Sequence, residues 1–341
     1  MKGIIFPRVL FLLLCLSPVL ATVACAQTIA YGLGSQIWGM DVKTGHSFLL
    51  INGAGIPAWS RDGKTIAAVI EGAIWLADVR TRKSRMLIPA DHQHFLGTPA
   101  WSEDGKYLYV GRYKKDDEEF PTDADGGLWQ INVQNGQSRL MIKPEDSDLP
   151  IHENPLVSAD GHYLISSGMI DGGAFFYAMG LRANKLKKHP GQPIFKFVTC
   201  YTFDKSSKML LLGGDADESP MGKGPGGIWR WDLITNTCSP WMLPGQSIAD
   251  ISLSPNGKML IIGLKEGDYV FSTAGKKLAK INVSGEIHHI AWLDNETFIA
   301  ENAPTGDINQ TNIIRYNIHT GKSHILVKGG DGVAVAGLRP H

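Results

Sequence analysis

Short apolar runs alternate with brief polar turns along most of the chain, and one such phrase is repeated. Residues 57–69 read PAWSRDGKTIAAV and residues 99–111 read PAWSEDGKYLYVG. Weaker copies begin at residues 155, 201, 251 and 290, which makes six copies. Each copy is an apolar run, a polar turn built on Asp, Asn, Ser or Gly, and a second apolar run. This pattern predicts two antiparallel strands joined by a tight turn.

A second repeated phrase follows each copy of the first. Its clear copies are IWLADVRTRKSRML at 74–87, LWQINVQNGQSRLM at 128–141 and IWRWDLITNTCSPWM at 228–242, and looser copies begin at residues 175, 269 and 313. Each copy again predicts a strand, a turn and a strand. The two phrases together make a four-stranded antiparallel unit of about 40–50 residues, a length typical of a propeller blade.

The two ends of the repeat series complete one another. Residues 37–50 are a seventh copy of the second phrase with one strand, TIAYG, before it, whereas GVAVAGLRP at 332–340 is a strand with no blade of its own. Because a ring must not leave open sheet edges, residues 333–338 are expected to lie alongside residues 29–32. We therefore predict an all-β fold, a seven-bladed β-propeller of four-stranded antiparallel blades, closed by the C-terminal strand in one domain spanning residues 27–341.

Tryptophan and Asp-Gly pairs recur at fixed positions of the repeat. Wide aromatic side chains fill the wedge between neighbouring blades, and Asp-Gly favours hairpin turns, so we interpret both as structural. The tryptophans at one position are Trp38, Trp75, Trp129 and Trp229, those at another are Trp59, Trp101 and Trp292, and the Asp-Gly pairs begin at Asp62, Asp104 and Asp160.

Residues 1–26 predict an export signal. Lys2 and Arg8 are followed by an apolar stretch from residue 9 to residue 20, which is too short to span a bilayer comfortably. Ala24-Cys25-Ala26 then offers a small-residue cleavage site. TVAC also resembles a lipoprotein signal in which Cys25 is lipidated. The repeats begin almost directly after Cys25, which favours plain cleavage. We expect a periplasmic or secreted protein with no transmembrane segment.

Charge and motifs restrict the classes of partner. The 341 residues include 33 Lys and Arg and 33 Asp and Glu, a formal net charge of zero. A nucleic-acid-binding surface needs concentrated positive charge, so no nucleic-acid partner is expected. The sequence also has no GxSxG, GxGxxG or Walker phrase for a serine hydrolase or a nucleotide site.

The phrases WSRDGK, WSEDGK and LSPNGK, each with a later strand and a TG or NG turn, resemble the repeats of TolB-type propellers. The resemblance covers nearly the whole mature chain and implies an exported β-propeller, usually a platform for protein partners. The sequence departs from TolB itself, because it has no α/β domain before the propeller and seven predicted blades instead of six. The same repeats occur in oligogalacturonate lyases and in the propeller domains of prolyl peptidases, so fold alone does not select a function.

The turns inside the repeated phrases all lie on one face of the predicted ring, which we call the hairpin face. The connections between phrases and between blades lie on the opposite face, the loop face, and include residues 91–98, 114–127, 145–154, 214–227, 284–289 and 303–312. Because variable loops on a rigid scaffold often carry function, we expect a binding site there. Its candidate residues are Asp116, Asp123, Asp125, Glu153 and Asp215. Residues 116–125 could also bind Ca²⁺, but they lack EF-hand spacing, which favours a solvated loop.

Histidines are concentrated in the same connections, just before the innermost strands. Imidazole is the commonest neutral metal ligand. One hypothesis is a divalent metal site formed by His92, His94, His152 and His288. Such a metal could act as a Lewis acid in a polysaccharide lyase or hydrolase of the oligogalacturonate type, with Arg112 or Lys196 binding the substrate carboxylate. The alternative is that these are unrelated polar loop residues on three blades, with no cofactor.

Two cysteines follow the signal segment. Cys200 and Cys238 are assigned to the innermost and outermost strands of the fifth blade, about 14 Å apart at the usual strand spacing. A disulfide spans at most about 7 Å between Cα atoms, so we predict two free, buried thiols.

Two functions therefore remain open. The first is a non-enzymatic exported propeller that binds a protein or an extracellular polymer on its loop face. It is favoured because the sequence strongly indicates a propeller scaffold and contains no strong catalytic motif. The second is the metal-assisted lyase or hydrolase.

Overall fold

A computed structural model describes residues 28–91, 93–114, 126–143, 152–170, 173–183, 185–188, 198–216, 218–219, 222–307 and 310–335. Within these ranges the chain forms 31 β-strands and no helix. The strands make seven antiparallel blades and one small two-stranded hairpin. The predicted seven-bladed propeller is confirmed.

The strands follow one another from the innermost to the outermost position in blades 2 to 7. Blade 2 contains β4 (Ala58–Trp59), β5 (Thr65–Ile70), β6 (Ala73–Asp78) and β7 (Lys83–Ile88). Blade 3 contains β8 (His94–Leu96) and β9 (Ala100–Trp101), which share the innermost position, and β10 (Tyr107–Lys114), β11 (Gly127–Asn132) and β12 (Ser138–Ile142). Blade 4 contains β13 (Glu153–Val157), β14 (Tyr163–Ile170), β15 (Gly173–Gly180) and β16 (Lys185–Lys188).

The remaining blades follow the same plan. Blade 5 contains β17 (Val198–Phe203), β18 (Met209–Gly214), β21 (Gly227–Asp232) and β22 (Thr237–Met242), and the extra hairpin of β19 (Glu218–Ser219) and β20 (Gly222–Lys223) lies between β18 and β21. Blade 6 contains β23 (Ile248–Leu253), β24 (Met259–Leu264), β25 (Gly267–Ser272) and β26 (Lys277–Lys280). Blade 7 contains β27 (Glu286–Trp292), β28 (Thr297–Ala303), β29 (Asn312–Asn317) and β30 (Lys322–Lys328).

Blade 1 combines both ends of the described chain. Its strands are β1 (Thr28–Gly32), β2 (Gln36–Asp41), β3 (Ser47–Asn52) and, in the innermost position, β31 (Asp331–Val335). β31 runs antiparallel to β1, with Ile29 opposite Val335 and Ala30 opposite Ala334. It also contacts β27 of blade 7 and β4 of blade 2. The predicted closure by the C-terminal strand is therefore confirmed, with the strand at Asp331–Val335, and residues 336–338 of the prediction lie outside the described residues.

The turns on the hairpin face are held by a repeated side-chain pattern. Asp62 Oδ1 accepts hydrogen bonds from Ser60 Oγ at 2.7 Å and from the Lys64 amide at 3.1 Å. Ser60 Oγ in turn accepts a bond from the Thr65 amide at 2.9 Å. The same bonds recur around Asp104, Asp160 and Asn256. These Asp and Asn side chains therefore stabilise hairpins, as the sequence predicts for the Asp-Gly pairs.

Three of the repeated tryptophans join neighbouring innermost strands. Trp59 Nε1 donates to the Ala334 carbonyl at 3.2 Å, Trp101 Nε1 to Ala58 at 2.9 Å and Trp292 Nε1 to Ser252 at 3.3 Å. In each case the acceptor belongs to the preceding blade. The rings also pack in the core, so the predicted structural role is confirmed, with an added hydrogen bond between blades.

Neither Cys200 nor Cys238 forms a disulfide, as predicted. Cys200 lies on β17 and Cys238 on β22, at opposite sides of one blade. They are partly buried against the apolar cluster of their blade or the next, and burial raises the pKa of Cys238 to about 12. Among the described residues, no helix has the length and hydropathy needed to cross a bilayer.

Candidate functional site

Among the cavities formed by the described residues, two open on opposite faces of the ring. The larger, about 410 Å³, is the hairpin-face end of the axial channel and is lined by residues from every blade. Its walls are largely apolar, and its two charged lining residues, Arg61 and Glu103, pair with each other at 3.5 Å. It therefore offers apolar surface but few groups with acid–base or ligand chemistry.

The smaller cavity, which we call the loop-face cleft, has a volume of about 320 Å³. Residues 32–36 and 54–56 form two of its walls, and His289, Glu301, Asp331 and Gly332 form the third. These residues belong to blade 7, blade 1 and the connection into blade 2, so the cleft lies beside the ring closure. It gathers three titratable side chains in one concave place.

A β-bulge in the innermost strand of blade 7 places His289 at this cleft. The register of β27 against β28 shifts between His288 and Ala291, and His289 has φ of 49°, a left-handed conformation that is uncommon for a non-glycine residue. Its side chain is 63% exposed. His289 Nδ1 lies 3.0 Å from Glu301 Oε1, so the imidazole caps a carboxylate at the rim of the cleft.

Glu301 links blade 7 to the closing strand. The residue is 6% exposed, and its Oε1 accepts a hydrogen bond from the Val333 amide of β31 at 3.2 Å. Burial alone would raise the pKa of Glu301, but the hydrogen bond and charge of His289 and the backbone amides of β31 outweigh it and lower the pKa. The same hydrogen bond raises the pKa of His289. Each group therefore favours the charged form of the other.

Glu301 occupies a repeat position that four of the other six blades fill with glycine. The equivalent residues on the second strands of blades 1, 3, 5 and 6 are Gly32, Gly111, Gly213 and Gly263, whereas blades 2 and 4 have Val69 and Ser167 there. A Cβ at Gly111 would meet the His152 carbonyl of the next blade, and one at Gly213 would meet Ile248 of the next blade. Blade 7 instead carries a carboxylate there, which reaches the next innermost strand.

Asp268 breaks the repeat in the adjacent blade. Its equivalents on the third strands of other blades are apolar and fully buried: Ile37, Ile74, Leu128, Ile228 and Ile313. Burial, together with the charges of Asp250 and Glu286, raises the pKa of Asp268 to about 7.

Asp250 and Asp268 flank a glycine on neighbouring strands. Both pair in register with Gly263, so their side chains share a face of blade 6. Burial also raises the pKa of Asp250, against the opposing effect of His289 and His288. Burial and the charge of Glu301 raise the pKa of Asp331. The loop face between blades 6, 7 and 1 therefore carries several carboxyl groups. The positive charge of the nearby histidines does not balance their negative charge.

The described histidines of the metal hypothesis each have different partners. His94 Nδ1 lies 2.6 Å from Asp91 Oδ2 and 3.0 Å from Arg112 Nη2. His152 is fully buried, its Nδ1 lies 2.9 Å from Ser166 Oγ, and burial lowers its pKa to about 4.

His288 Nε2 lies 3.6 Å from Glu286 Oε2. His92 and Lys196 lie outside the described residues. In the part of the chain that the structure describes, no three His, Cys, Asp or Glu side chains are arranged to hold a metal. The metal site stays a prediction.

The acidic candidates divide in the same way. Glu153 begins β13, where its carbonyl accepts a bond from Ser167 Oγ at 3.4 Å. Asp215 accepts a bond from Ser247 Oγ at 2.5 Å, which ties the connection after β18 to the start of blade 6. Asp116, Asp123 and Asp125 lie outside the described residues. Their proposed role in binding stays a prediction.

Sequence reasoning missed the acidic members of the site: Asp250, Asp268, Glu301 and Asp331. They lie far apart along the chain, on four strands. A signal was nevertheless present, since Asp268 and Glu301 replace apolar or glycine residues at fixed repeat positions. Comparison of the six repeats position by position would have identified both.

The fold is similar to solved propeller structures, although comparison with family models and with curated proteins gives no match. The crystal structure of TolB from Acinetobacter baumannii matches with a TM-score of 0.52 and 13% identity over 88% of this chain and 78% of that chain. A putative TolB from Agrobacterium tumefaciens matches with a TM-score of 0.52 and 15% identity over 76% of this chain and 90% of that one. The chain therefore has a TolB-like propeller fold, and at this low identity it is not TolB itself.

Peptidase propellers are similar as well. A structure from a study of two prolyl endopeptidases matches with a TM-score of 0.62 and 15% identity over 91% of this chain, and a puromycin-hydrolyzing peptidase of Mycobacterium tuberculosis matches with a TM-score of 0.62 and 14% identity over 89%. This chain spans 50% and 53% of those two chains. At such identities the likeness concerns the fold alone.

Proposed function

We propose that the chain is an exported, non-enzymatic propeller that binds a partner protein on its loop face, at the loop-face cleft. The likeness to TolB structures supports a scaffold role, because TolB-type propellers are usually platforms for protein partners. Residues 1–26 support export through their signal-like pattern. A periplasmic or secreted location follows from that part of the proposal.

The observation that carries the proposal is the group of carboxyls around His289. These carboxyl groups interact electrostatically with one another or with His288 and His289. They belong to Asp250, Asp268, Glu286, Glu301 and Asp331. The raised pKa values of the aspartates reflect burial and mutual repulsion. An arriving Lys or Arg side chain would relieve that repulsion and gain a charge-assisted hydrogen bond. The loop face between blades 6, 7 and 1, which includes the cleft, therefore suits a basic side chain on the surface of a partner protein.

The test compares two charge-matched double variants on opposite faces of the ring. Glu286→Gln with Asp331→Asn removes two exposed carboxylates at the loop face, whereas Glu296→Gln with Glu103→Gln removes two exposed carboxylates from hairpin-face turns. Each protein is immobilised, partners are captured from an envelope or secreted extract, and every captured protein is quantified. Contacts are then located by cross-linking to residues.

The expected result is a partner whose affinity falls at least about tenfold, or about 1.4 kcal/mol, in the loop-face variant and is unchanged in the hairpin-face variant. Cross-links should fall beside the cleft. The placement is wrong if the hairpin-face variant alone loses the partner, or if both variants retain it fully.

A further inference from the structure

The larger of the two cavities, at the hairpin-face end of the axial channel, has no part in the proposed function. We call it the axial cavity. Its volume of about 410 Å³ lies in the range typical of small-molecule sites, and residues from every blade line it. Small-molecule sites are usually concave and largely apolar, with a few polar groups that fix the orientation of the ligand. The walls of the axial cavity can be compared with that description residue by residue.

Small side chains hold the axial cavity open. One residue of each innermost strand lines the cavity at the same repeat position and is partly accessible. In four neighbouring blades, from blade 7 round to blade 3, this residue is alanine: Ala291, Ala334, Ala58 and Ala100. Blade 4 has Leu156 there, so the repeat also accepts a larger aliphatic side chain. The alanines therefore leave space on one side of the channel that longer side chains would fill.

Most polar side chains of the wall are already hydrogen-bonded within the protein. The serines of the lining turns donate to the aspartates of their own turns, and the three lining indoles donate to backbone carbonyls of the preceding blades. Ser252 Oγ donates to the Ile290 carbonyl at 3.1 Å. The Tyr201 hydroxyl donates to the Asn154 carbonyl. The wall therefore offers few side-chain donors to a ligand.

The charged residues of the wall also satisfy one another. Arg61 Nε lies 3.5 Å from Glu103 Oε1, and these two are the charged residues among those that line the axial cavity. An anionic ligand near Arg61 would also meet the carboxylate of Glu103, and a cationic ligand near Glu103 would meet the guanidinium of Arg61. The axial cavity therefore has no unbalanced charge with which to select a charged ligand.

We propose that the axial cavity binds a small, uncharged, apolar molecule. A well-held water molecule needs two to four polar partners, which walls of this kind do not readily supply. An apolar ligand that displaces poorly held water gains affinity. A peptide suits the cavity less well, because its N–H and C=O groups would lose their hydrogen bonds to water without finding partners in the wall.

This proposal is independent of the proposed function, because the axial cavity and the loop-face cleft lie on opposite faces of the ring. The test titrates the purified chain with 1-N-phenylnaphthylamine, a neutral aromatic dye whose fluorescence rises in apolar surroundings. The dye should bind saturably, with one molecule per chain. The comparison dye, 8-anilinonaphthalene-1-sulfonate, has a similar ring system with a sulfonate group, and it should bind at least about tenfold more weakly.

Two variants with the same chemical change locate the bound dye. The cavity variant carries Ala100→Leu and Ala291→Leu, at positions equivalent to Leu156. The control variant carries Ala183→Leu and Ala274→Leu, at exposed residues of outer hairpin turns. Affinity for the neutral dye should fall at least about tenfold in the cavity variant and less than about twofold in the control variant.

Two further variants guard against a fold defect in the cavity variant. If urea denaturation shows that the cavity variant is unfolded, Ala291→Leu alone should still weaken binding of the neutral dye about threefold. Leu156→Ala removes side-chain volume from the wall, and it should bind the neutral dye at least as tightly as the unaltered chain does.

Several outcomes would overturn the proposal. Unchanged affinity in the cavity variant would place the dye elsewhere, and equal losses in both double variants would mean that the loss does not arise in the axial cavity. Absence of saturable binding would remove the site altogether. Tighter binding of the sulfonated dye, or of a neutral peptide of alternating Ala and Leu with blocked ends, would assign the axial cavity to another class of ligand.

Discussion

At the scale of single residues, two departures from the repeat place carboxyl groups on the loop face, one in the loop-face cleft and one in the neighbouring blade 6. Asp268 occupies a place that the other blades fill with a buried apolar residue, and Glu301 occupies a place that four blades fill with glycine. A buried position of the repeat can hold a carboxyl group in two ways. Either the carboxylate pairs with a positively charged group, or burial raises its pKa and favours the neutral, protonated form. Glu301 pairs with His289, which lowers the pKa of Glu301, whereas burial raises the pKa of Asp268.

Replacing Glu301 by Gln should destabilise the fold in a pH-dependent way. The lowered pKa of Glu301 means that its carboxylate stabilises the fold above its ordinary pKa of 4.5, and this stabilisation is lost as the pH falls through the lowered pKa. The raised pKa of His289 means that its charge stabilises the fold below 6.5, and this stabilisation is lost as the pH rises through the raised pKa. The pair therefore contributes most between these two values.

The expected loss in the free energy of unfolding is about 1 kcal/mol at pH 6, since His289 is largely exposed to solvent. Urea denaturation should show a clearly smaller loss at pH 9, where the imidazole is neutral. Glu296→Gln is the matched control, because Glu296 faces His319 at 3.7 Å and both side chains are 62% exposed. A loss that is equal at both pH values would contradict the charged-pair interpretation.

At the scale of elements, the blades adhere because their innermost strands approach closely. The indoles of Trp59, Trp101 and Trp292 each donate to the blade before. Glycine serves a different joint, between blades 3 and 4, since Gly111 of β10 has no side chain between it and the carbonyl of His152, the residue before β13. Indole hydrogen bonds and bare backbone therefore bring different pairs of blades together.

Gly111→Ala should therefore separate blades 3 and 4. The added methyl group would overlap the His152 carbonyl, which is backbone and cannot rotate away. We expect a loss of about 3 kcal/mol in the free energy of unfolding, at the upper end of the usual effect of overpacking. Gly97→Ala is the control in the same blade, because its nearest outside atom is the Gly111 carbonyl oxygen at 3.8 Å. Equal stability of the two variants in urea would disprove the close approach.

At the scale of the whole molecule, the ring depends on one short strand. β31 pairs with β1, its Val333 amide bonds to Glu301, and the Ala334 carbonyl accepts the Trp59 indole. The carbonyl of Gly330, just before it, accepts a bond from Thr311 Oγ1 at 2.8 Å. One strand thus connects blades 7, 1 and 2.

A chain that ends after Gly330 should lose this closure. The freed edge of β1 would present unpaired amides and carbonyls, which favour pairing with another molecule. Size-exclusion chromatography with light scattering should show larger species than the full-length chain forms. A chain that ends after Val335 keeps all of β31 and should elute as the full-length chain does. The closure has no such role if both truncated chains behave alike.

The sequence contained enough to predict the ring but not the cleft. The Ser-x-Asp-Gly turn can be predicted from a short stretch of sequence, because Ser60, Asp62 and Gly63 form hydrogen bonds with residues only a few positions away. Closure of the ring could be predicted by counting strands, because the first blade lacks one strand and the C-terminal strand has no blade of its own. The partnership of His289 with Glu301 and Asp250 depends instead on a bulge and on contacts between blades, and neither is written in the spacing of residues along the chain. His152 shows the same limit of prediction from sequence. It is fully buried although the next residue, Glu153, is partly exposed, so position along the chain does not reveal its burial.

The joining of both ends in one sheet also has a consequence for how the protein is made. Asn52 ends the first three strands of blade 1, yet their fourth strand begins at Asp331. At about 5–20 residues per second on the ribosome, Asp331 follows Asn52 by roughly 15–55 s. For that whole interval the nascent blade must wait with an incomplete sheet, and chaperones that shield exposed strand edges would have time to act on it.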